Sequence, residues 1–214
     1  MYKRQPLYAL QFSNEQYGII TEMYAYVAFL VVFLTYGMET AFFRFSTTNK
    51  DGKLNIYSNT LYSLITSSAI FVAMATIFSE NIADWLKYPN HQEYIIWFSL
   101  IVSLDAVSSI PLAKLRLQEK AKKFALVNLL NVGVNIFLNL FFLIYCKEAF
   151  ESGHTNWITE NLYNPKIGVG YVFISNLIAS LIKFGVLMPT MSFKGAFDFT
   201  IPVSYTHLTL PTTP

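Results

Sequence analysis

Five apolar stretches, each close to the length that crosses a bilayer, dominate this chain of 214 residues. They fall at 18–43, 57–78, 94–113, 124–146 and 168–191. A helix rises ~1.5 Å per residue, so about 20 residues span a hydrocarbon core. Backbone in lipid has no water to bond with, so a span must be a helix or part of a closed barrel. A barrel needs short strands of strict alternation, and the sequence has none. The predicted fold class is therefore all-α: a polytopic transmembrane helix bundle of five full spans plus the end of a preceding one. Composition agrees: 54% of residues are hydrophobic and 13% charged, against about 25% charged in an ordinary soluble domain.

The connecting segments alternate in charge. Segments 44–57, 114–123 and 192–200 together carry nine Lys and Arg; segments 9–17, 79–93 and 147–167 carry three, beside seven acids. The positive-inside rule places the first group in the cytoplasm. The chain after "QFSNEQYG" then enters its first complete span from outside. "MYKR" is not followed by a signal-peptide apolar core, so a further span is expected upstream, with "PLYALQF" as its last turn. At the other end "TIPVSYTHLTLPTTP" has three prolines, no charge and no period. Residues 1–5 and about 201–214 resemble translated sequencing-adapter DNA, which leaves 6–200 as the expected folding unit.

A single cysteine, Cys146, excludes an intrachain disulfide, and His91, His154 and His207 are scattered outside the apolar runs. No phosphate loop, CxxC or HExxH pattern occurs. No cofactor, metal site or nucleic-acid partner is expected. The informative residues are polar groups inside the spans, where an ionisable side chain costs roughly 2.5–3.5 kcal/mol and normally faces protein or water. Glu22 lies near the outer interface. Asp105 sits deep in its span, with Ser108 and Ser109 a turn away on the same side. Glu39 and Arg44 are five apart, about 140° round a helix, so each should find its partner on another helix, unless Arg44 snorkels to the surface. Asn176, Ser180 and Lys183 follow spacings of four and three, forming one polar line. Lys183 is too deep to snorkel. It either pairs with Asp105 or Glu39 or faces an anionic head group.

The stretch "NLLNVGVNIFLNL" adds Asn128, Asn131, Asn135 and Asn139, all within an arc of about 80° on a helix. Such a row either binds helices together or lines a wet cavity. The basic stretch "KLRLQEKAKK" either sets topology or attracts anionic heads.

Three segments resemble the bacterial exporters of polysaccharide biosynthesis, the O-antigen and lipid-linked-oligosaccharide flippases of the MATE/MurJ-like superfamily. They are "PLYALQFSNEQYGIITEMYAYVAFLVVFLTYGMETAFFRF", "SLDAVSSIPLAKLRLQEKAKKFALVNLLNVGVNIFLNL" and "NPKIGVGYVFISNLIASLI". The resemblance implies two six-helix lobes around a central cavity in a bacterial inner membrane, with this chain holding the N-terminal lobe. The missing C-terminal lobe and membrane lipids would then be its partners. It also implies a substrate, an undecaprenyl-pyrophosphate-linked oligosaccharide flipped outward by alternating access, with no covalent step and hence no enzyme activity. On that reading Lys183 and Arg44 suit the pyrophosphate, and Asn128, Asn131, Asn135, Asn139, Asn176 and Ser180 suit sugar hydroxyls. Asp105 or Glu39 would carry a coupling proton or sodium ion, or hold the cations. A drug/cation antiporter of the same superfamily and a polysaccharide polymerase or ligase are the alternatives. The outer segment 147–167, with two lysines, one histidine and no arginine, argues against the enzyme.

Overall fold

The computed structural model describes residues 13–48, 53–86, 92–152 and 163–191; both terminal segments and segment 192–200 lie outside these. All the regular structure described is helical, with no strand among the described residues. Five helical segments are long and apolar enough to cross a membrane: Gln16–Thr47, Ile56–Ile77, Gln92–Leu117, Ala121–Glu151 and Gly170–Thr190. The expected multi-pass helix bundle is what forms.

Helix α1 (Asn14–Thr35) starts at a capping box written in the sequence "SNEQ". The Ser13 hydroxyl accepts from the Gln16 amide at 3.3 Å, and the Gln16 side chain accepts from the Ser13 amide at 3.2 Å. The expected span at 18–43 lies within Gln16–Thr47, but its helix is interrupted: Tyr36 and Gly37 adopt left-handed backbone (φ 33° and 73°) and α2 restarts at Met38–Thr48. Glycine makes that conformation accessible inside an apolar run. The Tyr36 hydroxyl lies 2.6 Å from the Ser63 hydroxyl on the helix Lys53–Ile77.

Helix α3 (Lys53–Ile77) is followed by the short α4 (Ser79–Trp85) and the long α5 (Gln92–Leu117). A tight turn with Glu119 at φ 55° leads to α6 (Ala121–Leu140). The expected basic loops 44–57 and 114–123 are thus largely helical: Arg44 belongs to α2, Lys114 and Arg116 to α5, and Lys122 and Lys123 to α6. Helix α6 passes through a π-helical turn, Phe141–Cys146, into α7 (Lys147–Glu151). After a 3-10 turn at Pro165–Ile167, α8 (Gly170–Leu187) ends in a second one at Met188–Thr190.

Helix α5 occupies the centre and packs on α1, α2, α3, α4 and α8. Its membrane window is 61% buried, against 22% to 44% for the other spans. A helix apolar on every side is one that must be surrounded. Where α8 begins, Gly170 is required for space: a Cβ there would come within 2.8 Å of Ile167 and 3.0 Å of Trp97. Around the outside the bundle shows Phe29, Phe33, Ile77, Leu129 and Phe137 exposed. An apolar belt of this kind is a liability in water and the ordinary surface of a protein in lipid. Helix α6 lies at the edge, packed chiefly on α8, with 28% of its window buried.

Candidate functional site

The polar residues of the spans converge on α8. Asp105 stands near the middle of α5, and its Oδ1 accepts from Lys183 Nζ at 2.5 Å and from Ser180 Oγ at 3.0 Å. The Lys183 side chain is 9% exposed and Asp105 28%, so the ammonium is the more enclosed partner. A charge pair this enclosed on the ammonium side is held together by the cost of separating it, since either ion alone would be uncompensated. Ala179, between the polar residues of α8, is fully buried and lets the helices approach.

One turn along α8 the partner changes. Asn176 Oδ1 accepts from Asn135 Nδ2 on α6 at 2.9 Å. Asn139 Nδ2 in turn donates to both Asn135 Oδ1 and Asn135 O, each at 2.7 Å. The two contacts form a polar line along one edge of α8, ionic where it meets α5 and amide where it meets α6.

A family model described as "Polysaccharide biosynthesis protein" matches residues 11–195. The chain belongs to that family. No curated protein and no solved structure matches it significantly. Family membership and five membrane-length helices together make this a multi-pass membrane protein of polysaccharide biosynthesis.

Within this polysaccharide-biosynthesis fold the other residues singled out above lie apart from the line. Asn128 turns back on its own helix, donating to the Phe124 carbonyl at 2.9 Å. Asn131 has a buried Oδ1 without a hydrogen-bond partner. Ser108 is fully buried with its hydroxyl unpartnered, and Ser109 bonds the Ala106 carbonyl. The hydroxyl that serves Asp105 therefore comes from α8 rather than from its own helix. Glu39 pairs with Arg116 of α5 at 2.5 Å, as expected of a residue that cannot reach Arg44. Arg44 is exposed on α2. Neither Glu39 nor Arg44 reaches the Asp105–Lys183 pair.

Two residues of the basic stretch 114–123 make structural contacts. Arg116 sets its guanidinium over the rings of Phe43 and Phe124, 5.5 and 5.3 Å from their centroids, tying α2, α5 and α6 together. Lys114 donates to the Thr190 carbonyl at 3.0 Å and lies 3.9 Å from the centroid of the Tyr57 ring. A cation on the last carbonyls of a helix is favourable both as a donor and as a charge on the helix dipole. Periodicity held the clue for Arg116, which lies eleven residues beyond Asp105. That is about three full turns, so it falls on the same face if α5 is carried past residue 113. Apart from the polar line there is an apolar groove of about 520 Å³ between α3 and α4, lined by Phe71, Met74, Phe78, Asn81, Ile82 and Trp85 among others. It includes none of the candidate site residues.

Proposed function

We propose that the chain is one lobe of a transporter that moves an undecaprenyl-pyrophosphate-linked oligosaccharide from the cytoplasmic to the outer leaflet of a bacterial inner membrane by alternating access. The ends of the bundle rich in Lys and Arg then face the cytoplasm. Sequence resemblance to lipid-linked-oligosaccharide flippases of the MATE/MurJ-like superfamily supports the substrate class, and family membership supports the pathway. The observation that carries the site assignment is the Asp105–Ser180–Lys183 cluster, which joins two of the membrane-length helices beside an amide ladder. A pyrophosphate asks for a cation and sugar hydroxyls ask for groups that both donate and accept. Lys183 offers the first, and Asn135, Asn139 and Asn176 the second. A flipping reaction breaks no covalent bond, so no nucleophile or acid–base pair is needed.

The test is genetic. The full-length gene should restore surface glycan to a bacterium lacking its own flippase, and the same gene carrying Lys183→Ala and Asp105→Ala should not. Normal glycan from the double variant would remove the site assignment. Failure of the unaltered gene across several glycan types, with the protein present in the membrane, would remove the function.

A further inference from the structure

The groove between α3 and α4 lies apart from the polar line, at the end of α3 away from the turns rich in Lys and Arg. With those turns in the cytoplasm, it opens toward the outer leaflet. We propose that it binds one aminophospholipid of that leaflet, with an acyl chain in the groove and the ammonium head group on Glu80 and Asp84. The site is separate from the cargo path proposed above and does not depend on what is transported.

The groove is built by a break in the chain. At Phe78 the backbone leaves helical values (φ −98°, ψ 13°), and α4 begins as a separate helix. Ser79 and Ala83 are buried and α4 packs on α5, which holds it beside α3. Asn81, Ile82 and Trp85 face the groove, and the remaining row of α4, Glu80 and Asp84, is exposed. On the α3 side the lining runs from Phe71 to Phe78, about 10 Å along the axis or roughly a third of the hydrocarbon core. The groove is thus apolar along α3 and bordered by carboxylates along α4, the profile of a lipid chain below its head group. Trp85, 81% exposed, fits the same boundary, since an indole is at home at the head-group level.

Charge decides which lipid fits. Glu80 and Asp84 are four residues apart, neighbours on one face of the helix. The ion pairs among the described residues join Glu39 to Arg116 and Asp105 to Lys183, so neither acid is neutralised by one of those cations; Lys87 lies outside the described residues. Two carboxylates beside the groove repel an anionic head, whether phosphatidylglycerol or a prenyl diphosphate. They attract a primary ammonium, which brings three donors, whereas a choline head has no N–H to give. Asn81, the amide among the lining residues, is a donor for the phosphate ester of the same lipid. The acids therefore select a resident lipid and turn away a diphosphate-bearing one.

Trp85 reads occupancy directly, because bromine on an acyl chain quenches an indole that it touches. The purified full-length protein is placed in phosphatidylcholine nanodiscs containing phosphatidylethanolamine or phosphatidylglycerol, brominated on one chain and at equal mole fraction. Quenching seen in wild type and missing in Trp85→Phe, an exchange of one exposed ring for another, belongs to the groove. The ethanolamine lipid should quench Trp85 with about fivefold higher apparent affinity than the glycerol lipid. Glu80→Gln combined with Asp84→Asn should bring the two lipids together. Equal quenching in wild type, or stronger quenching by the glycerol lipid, overturns the proposal and decides it alone if the double variant does not fold. No quenching of Trp85 by either lipid overturns it as well, since another segment of the protein then covers the groove.

Discussion

At Ser180 and Lys183, α8 meets α5 through charge; one turn away, at Asn176, it meets α6 through amides. The two contacts share a helix edge but answer different needs. The ionic contact joins the most buried helix of the bundle, whose packing already holds it in place. Its partners are expensive singly and inexpensive together. The amide contact joins an edge helix that buries little else, and each of its members is neutral with or without a partner. Charge here is a commitment between two residues, whereas the amide contact is a neutral hydrogen bond between Asn135 and Asn176 whose loss leaves no uncompensated charge.

The largest expected effect comes from breaking that commitment on one side. Lys183→Met leaves a partly enclosed carboxylate without a cation and should lower stability by ~3 kcal/mol. Adding Asp105→Leu should recover it to within ~1 kcal/mol of wild type, because a buried pair replaced by apolar residues of similar volume is close to neutral. Thermal unfolding in one detergent, for the two singles and the double, measures this. If the double is as unstable as Lys183→Met, the pair is not the reason for the loss.

Next in size is the close approach that brings α8 onto α5. In Gly170→Ala the new methyl meets Ile167, Trp97 and Tyr94 at 2.8, 3.0 and 3.2 Å. The 3-10 turn or the aromatic pair must shift, at ~1–2 kcal/mol. The same unfolding assay reads it. A neutral outcome would mean that α8 can slide on α5, which the ionic contact is expected to prevent.

How much of this was legible beforehand follows from which forces act locally. The five spans were readable because length and apolarity are properties of the chain itself. So was the failure of Glu39 to pair with Arg44, which is helix geometry. The break at Tyr36–Gly37 was not, since a glycine inside an apolar run is equally compatible with a continuous helix. The π-helical turn at Phe141–Cys146 likewise carries no local signature. The four asparagines of α6 did share a face, yet one pairs across to α8, one braces it, one bonds its own helix and one keeps an unpartnered oxygen. Periodicity gives the direction of a side chain, and the neighbouring helix decides what it meets. For the same reason the position of Asp105 along its helix is legible from spacing, while its Ser180 donor, on another helix, is not.

The smallest expected effects lie in the amide contact, and they test whether it is a fastening at all. A double-mutant cycle on Asn135→Ala and Asn176→Ala should return a coupling of ~0.6 kcal/mol, the usual worth of a hydrogen bond between membrane helices. Asn128→Leu is the control. Its amide bonds only the Phe124 carbonyl of its own helix, a carbonyl that keeps a backbone partner in a continuous helix, so the change should stay within ~0.5 kcal/mol. A coupling near zero would make the Asn135–Asn176 bond incidental to folding. A loss at Asn128 larger than the coupling would reverse the ranking, placing the demand for amides on the row's first residue rather than on the ladder against α8.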